Sequence, residues 1–219
     1  MAATLDLQSS TVVKAIKAPE WPLYSWRTKS PNARLIYTRD VDEANAELSK
    51  LEPGPLGLDM EWKPCFYAGE PENPVALVQL ANDEVVLLIQ VSAMTTFPEK
   101  LREVLGSSLY VKAGVAIKGD CMKIYRDFSL ICRNCVDLSL LARTVDNDRW
   151  KGGYRQSIGL NRLCEAYEEL SLVKGKITRS NWELMLSEAQ QEYAANDSHS
   201  GYALYRRLAA MANAMSSAP

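Results

Sequence analysis

Asp59 and Glu61 are carboxylates one residue apart in the stretch Leu56–Trp62 (LGLDMEW). The alternation reads as a strand, with Leu56, Leu58 and Met60 on one face and Asp59 and Glu61 together on the other. Two carboxylates side by side on a buried sheet repel each other and lose hydration. The usual compensation is a divalent metal ion. Acid-x-acid spacing alone is weak, because Asp40/Asp42, Glu70/Glu72 and Asp146/Asp148 share it in polar surroundings. The apolar strand sets the first pair apart.

Two later positions offer matching chemistry. Asp120 follows an apolar run and precedes a helical stretch, which is where site residues sit in open α/β sheets. The competing reading is an Asp that only complements the dipole of a helix N-terminus. Tyr193 and Asp197 lie four apart on the last predicted helix and so share a face. The small residues Ala194 and Gly201 on that face let a sheet or a ligand come close. The plain alternative is a partly exposed Tyr–Asp pair.

These groups need elements to hold them. Residues 1–32 carry Pro19, Pro22 and Pro31 without periodicity and read as an extended arm, tied down by Trp21 and Trp26. Strands are predicted at 33–38, 56–62, 75–81, 84–91 and 109–117, with a hairpin turn at Asn82-Asp83. Helices are predicted at 40–50, 98–105, 121–128, 136–145, 158–170 and 187–211. Asp40 with Glu43, and Ser187 with Gln190, supply capping boxes. Residues 213–219 read as a disordered tail. The expectation is one α/β domain over 33–212, with a mixed sheet of about five strands flanked by helices.

The 219 residues are 47% hydrophobic and 24% charged, enough for one sizeable core. A formal net charge of −2 announces no global affinity for nucleic acid, although a bound metal would change the local balance. Five cysteines, odd in number, read as reduced thiols of an intracellular protein. Cys132 and Cys135 form a lone CxxC in a chain with one histidine, which argues against structural zinc. No apolar run is long enough to span a bilayer, and no signal-peptide core is present. The Ser, Thr and Lys of the N-terminus leave an organelle-targeting reading open. Asn196-Asp197-Ser198 matches a glycosylation sequon by chance.

The order of the motifs carries more weight than any one of them. Gly57–Trp62 (GLDMEW), Val75–Leu80 (VALVQL), Lys112–Asp120 (KAGVAIKGD), Ser180–Trp182 (SNW) and Tyr193–Asp197 (YAAND) together resemble the DEDD superfamily of 3′-5′ exonucleases. The closer resemblance is to its tyrosine-bearing DEDDy branch, and within that to the exonuclease domain of the Werner syndrome protein. It covers roughly residues 33–208. It implies a ribonuclease H-like three-layer fold and a 3′-5′ exonuclease that releases nucleoside 5′-monophosphates, from DNA rather than RNA. Asp59 and Glu61 match the first motif, Asp120 the second, and Tyr193 with Asp197 the third. Histidine-bearing members carry their histidine at the position of Glu192, so the tyrosine form is implied. Met122 departs from the tryptophan of the Werner domain.

On this resemblance two Mg²⁺ or Mn²⁺ ions are expected, since oxygen-only ligands suit hard cations. Asp59 is expected to bridge the ions. Glu61 and Asp197 would hold the one that activates water, Asp120 would act on the other, and Tyr193 would orient the water. Residues 149–179 hold seven basic side chains (Arg149, Lys151, Arg155, Arg162, Lys174, Lys176, Arg179) against Glu165, Glu168 and Glu169. They read equally as a solvated face or as a phosphate grip, in which Lys174, Lys176 and Arg179 would serve with Met122 and a stacking Trp62. Trp62 and Phe66 could as well be core. The alternatives are an RNase D-like exoribonuclease and a non-catalytic nucleic-acid-binding module on the same fold. With no Walker motif, any helicase is expected on a separate chain. The nucleus is favoured over the cytoplasm.

Overall fold

The computed structural model describes residues 21–217 apart from Ala68 and Arg155. Most of the predicted arm, and with it the organelle-targeting reading, lies outside the described residues. The elements run α1 (Trp26–Lys29), β1 (Arg34–Thr38), α2 (Val41–Leu48), β2 (Pro55–Trp62), β3 (Val75–Ala81), β4 (Val85–Ile89), α3 (Glu99–Gly106), β5 (Val111–Gly114), α4 (Lys118–Phe128), β6 (Cys135–Asp137), α5 (Leu138–Val145), α6 (Leu160–Glu168) and α7 (Glu188–Ser216).

The six strands order as β1-β4-β3-β2-β5-β6. β2 is antiparallel to β3 and parallel to β5. Its face of Leu56, Leu58 and Met60 packs on Leu48 of α2, Leu101, Val104 and Leu105 of α3, and Ile124 of α4. The opposite face of the sheet lies under α7, which α5 and α6 flank. The predicted three layers therefore stand.

Several boundaries differ from the sequence reading, and four of them bear on the site. The sheet has six strands rather than about five, because the first residues of the predicted helix at 136 pair with β5 as β6. Asp137 then caps α5, accepting from the backbone N–H of Ser139 and Leu140. The strand predicted over 109–117 is only β5, because the chain turns at Ala116 with φ of 55°. α4 starts at Lys118 rather than Cys121, which puts Asp120 inside its first turn. α7 continues to Ser216, so residues 213–216 are helix and not tail. Of the two expected capping boxes, the one at Ser187 forms in full, whereas at Asp40 only the N-cap bond forms, with no return bond from the Glu43 side chain. Asp40 accepts from the Glu43 N–H at 2.9 Å, and Ser187 with Gln190 completes a capping box.

The crossing of α7 on β2 fixes the rest. A Cβ built on Gly57 would lie 1.9 Å from the Ser198 carbonyl oxygen and 2.7 Å from the Tyr202 nitrogen. On α7, a Cβ on Gly201 would lie 3.3 Å from the Ala113 carbonyl oxygen and 3.8 Å from the Gly57 Cα. Helix backbone thus rests on strand backbone, and no side chain fits between them. Gly57→Ala is expected to cost more than about 3 kcal/mol, because backbone cannot give way to the new methyl. Gly153→Ala, with open space around its Cβ position, should stay within about 0.5 kcal/mol of wild type. Urea unfolding of the two variants checks both values.

Candidate active site

β2 carries Asp59 and Glu61 just beyond its pairing with β5, which ends at Gly57↔Ala113. At Gly114 a Cβ would come within 2.7 Å of the Leu58 carbonyl oxygen, so a larger residue would not pass this point. The chain then turns at Ala116 and enters α4 with Asp120 near its N-terminus. α4 is held by Lys123, whose buried ammonium donates to Asp127 at 2.6 Å and to the Asn73 carbonyl at 2.7 Å. Asp127 also accepts from the Val75 N–H at 2.8 Å, tying the helix to the start of β3.

α7 brings Tyr193 and Asp197 from above. Behind it, Asn196 Oδ1 accepts from the Trp26 N–H at 2.9 Å, Glu192 from the Trp26 indole N–H at 3.2 Å, and His199 Nδ1 meets the Tyr24 hydroxyl at 2.7 Å. Glu192 therefore belongs to the latch formed by residues 24–30 and not to the acidic centre. The loop before α7 is fixed by Gln90, which accepts from the Tyr37 hydroxyl and donates to the carbonyls of Trp182 and Leu184. Trp182, fully buried, lies with its ring 6.1 Å from that of Tyr193.

The four carboxylates act on one another. Asp59, Glu61, Asp120 and Asp197 are half-buried, and burial is the largest cause of a raised pKa in each. Asp59 is pushed up to about 6, and Asp120 and Asp197 to about 8, the last two with help from the Asp59 charge. Glu61 is pushed higher still, by Asp59, Asp197 and Asp120 after burial. Tyr193 stays a neutral phenol, its pKa raised by burial and by the neighbouring Asp197, Glu61 and Asp59. The strongest charges on these groups are each other's.

Gln79 is a site neighbour that sequence reasoning missed. It faces Asp59 directly in the β2–β3 register, is fully buried, and has no hydrogen-bond partner for either amide atom among the described residues. In the apolar run Val75–Ala81 it read as part of a core strand. The available signal was its place across from the acids on the adjacent strand.

An oxygen-only donor set whose members repel one another fits a hard divalent cation in charge and ligand type. The fit is not one of a finished coordination shell. Among the described residues, no group of three or more His, Cys, Asp or Glu side chains is already arranged to hold a metal ion. Asp59, Glu61, Asp120 and Asp197 are the groups that could close on one.

The other expected contacts divide. Lys174 and Arg162 line a cavity of about 450 Å³ that also contains Tyr193 and Asp197. Lys176 and Arg179 are exposed on the 3₁₀ turn that follows Lys174. Met122 is 54% exposed on α4, two residues after Asp120. Trp62 is half-buried, packed against the core with the Lys123 ammonium 5.3 Å from its ring centre, and so is not a free stacking surface. Phe66, 72% exposed, is free. The basic window does not form one face. Arg149 lines a separate cavity with Asp146, Glu168 and Glu169, and Arg155 lies outside the described residues.

Comparison with known proteins follows the same lines. A family model described as a 3′-5′ exonuclease matches residues 36–213. A 3′-5′ exonuclease of Arabidopsis thaliana is 31% identical over 196 residues, covering 84% of this chain and 66% of that protein. The mouse bifunctional 3′-5′ exonuclease/ATP-dependent helicase WRN is 35% identical over 156 residues, 70% of this chain and 11% of that one. The chain thus spans just under two thirds of the first relative's length and about a tenth of the second's. Escherichia coli RNase D, an exoribonuclease involved in structured RNA processing, shares the fold at a TM-score of 0.68 and 21% identity, over 84% of this chain and 46% of its own. The ribonuclease H-like architecture is thereby established. No described helix is long and apolar enough to cross a membrane.

The raised carboxyl pKa values predict how metal-free protein responds to pH. The folded state holds these protons more tightly than the unfolded chain, so their contribution to stability is lost as pH rises through about 6 to 8. His199, with its pKa pushed down to about 4 mainly by burial, has the opposite sign, and its contribution is complete above its ordinary value. In EDTA the melting temperature should therefore fall between about pH 6.5 and 8.5. Asp120→Asn should flatten that slope, and Mn²⁺ should raise the melting temperature more at the upper pH, because ion and protons compete. Calorimetry at a series of pH values measures all three.

Proposed function

The chain belongs to the 3′-5′ exonuclease family, and we propose that it hydrolyses phosphodiester bonds from the 3′ end of nucleic acid, releasing nucleoside 5′-monophosphates. The observation that supports this reading is the mutual electrostatic influence of Asp59, Glu61, Asp120 and Asp197, which also reaches the phenol of Tyr193. DNA is proposed ahead of RNA on the sequence motifs, which resemble the Werner-type branch more closely than RNase D.

The family is divalent-metal dependent. Here Asp59, Glu61, Asp120 and Asp197 would hold Mg²⁺ or Mn²⁺, all four offering oxygen ligands. When bound, the ions supply phosphate charge neutralisation and an acidified water. The protein does the rest through position. Ionised carboxylates are needed for ligation, so ion binding must displace the protons that burial favours. Tyr193 keeps its proton at neutral pH and is a poor base. Its hydroxyl instead orients the attacking water by hydrogen bonding, its ring fixed against Trp182. Lys174 and Arg162, in the cavity shared with Tyr193 and Asp197, offer positive charge to the phosphates upstream of the scissile bond.

Cleavage of 3′- and 5′-labelled single-stranded DNA, recessed duplex and RNA, in Mg²⁺, Mn²⁺ or EDTA, tests the reading. We expect shortening from the 3′ end only, and none in EDTA. Asp59→Ala and Asp197→Ala should abolish cleavage, and Tyr193→Phe should slow it by a factor of tens or more. Retained wild-type cleavage in both acid variants would sink the assignment. Lys174→Ala should weaken substrate binding and reduce its salt dependence, read from KM at two ionic strengths.

A further inference from the structure

Cys121, Cys132 and Cys135 form a second cluster, distinct from the carboxylates. Cys121 follows Asp120 on the first turn of α4, and Cys135 opens β6. The Cys121 thiol donates to Cys135 Sγ across 3.4 Å, and Cys132 lines the same cavity as both. All three are half-buried free thiols on the wall of a cavity of about 460 Å³, whose rim carries Lys118. That volume is in the range of small-molecule sites.

Beside them lies Lys112, fully buried. Its ammonium donates to the carbonyls of Ser107 at 2.6 Å, Tyr110 at 2.8 Å and Val104 at 3.3 Å, and no carboxylate pairs with it among the described residues. The ionisable groups that act on it are the three thiols. Lys112 is paired with Cys135 across the β5–β6 register, and a buried cation beside a thiol favours the thiolate, the reactive form of cysteine. Cys135 accepts from Cys121 and donates weakly to the Arg133 carbonyl at 3.7 Å, and its pairing with Lys112 makes it the thiol nearest that role.

We propose that this cluster is a thiol-modification site, at which Cys135 attacks a small-molecule disulfide of the glutathione class and Cys121 resolves the product into a Cys121–Cys135 disulfide. In the first step the Cys135 thiolate forms a mixed disulfide and displaces one small thiolate. In the second, Cys121 loses its proton to solvent, attacks Cys135 Sγ and displaces the other. Two protein thiols and one small disulfide become one protein disulfide and two small thiols, and the two electrons pass to the small molecule. Lys118 on the rim suits a carboxylate of that reagent. Closing the sulfurs from 3.4 Å to about 2.05 Å draws the first turn of α4 toward β6, and Asp120 rides on that turn. The bond itself is independent of the nuclease reading, whereas its effect on cleavage rests on it.

The test incubates reduced, desalted protein with graded ratios of glutathione disulfide to glutathione. Free thiols are then alkylated, cross-linked peptides are mapped by mass spectrometry, and cleavage in Mg²⁺ is assayed in parallel. The expected result is a Cys121–Cys135 peptide, absent in Cys135→Ser and in Cys121→Ser but present in Cys65→Ser. Cleavage should fall at least tenfold on oxidation and recover with dithiothreitol, and Cys135→Ser should be insensitive. A stable glutathione adduct without the internal bond, a bond between another pair, or free thiols throughout would overturn the site. The bond with unchanged cleavage would overturn its coupling to Asp120. Protein that forms the bond yet never cleaves nucleic acid would leave the site standing and remove the nuclease reading instead.

Discussion

Contact between bare backbones at Gly57 is the constraint on which the acidic centre depends. β2 and α7 each contribute acids, but the short side chains of Asp59 and Asp197 span little distance. Their charges reach each other because nothing separates strand from helix where Gly57 passes under Ser198 and Tyr202. Asp59 lies one strand repeat beyond Gly57, and Asp197 directly precedes Ser198. The closest approach of the two elements therefore sits beside the two carboxylates that must be brought together.

Such closeness works against stability, since like charges are pressed into a half-buried space. The surroundings offset the cost without neutralising the acids. Lys123 and Asp127 pin α4, Gln90 pins the Trp182 loop, and Trp26 with Tyr24 pins α7. None of these supports spends its charge on the carboxylates. The centre stays electronegative and ready for cations, and the rigidity comes from hydrogen bonds one layer away. Gln79, buried across from Asp59 with both amide atoms unpaired, is the exception, a polar group held within the centre itself.

What the sequence made legible was local or periodic. The face of Leu56, Leu58 and Met60, the Asp40 cap and the Ser187–Gln190 capping box all follow from neighbours a few residues apart, and all are seen. What depended on distant chain was harder. β6 is three residues long and exists because β5 offers it an edge, so its apolar start passed for helix. Ala116 in a left-handed turn shortened a strand that hydropathy alone extended to Ile117. Trp62 stayed open between a stacking ring and core, because the core residues and the Lys123 ammonium that meet it come from other elements. A fully buried Lys112 has no local signature, since what makes it tolerable is a set of carbonyls gathered by the fold. The acids were singled out through the order of their motifs, and which of them act on one another is decided by the fold.

The latch behind α7 bears on where this domain can be cut. Its residues, Tyr24, Trp26 and Ser30, precede the stretch 36–213 that defines the family. Trimmed to that stretch, the polypeptide would retain every acid while stranding Asn196, His199 and Glu192, each deprived of a partner at about 1–3 kcal/mol where buried. The boundary drawn by similarity and the boundary of mechanical soundness thus differ by the twelve residues 24–35. A fragment excised on the first criterion would carry its chemistry on an unbraced helix.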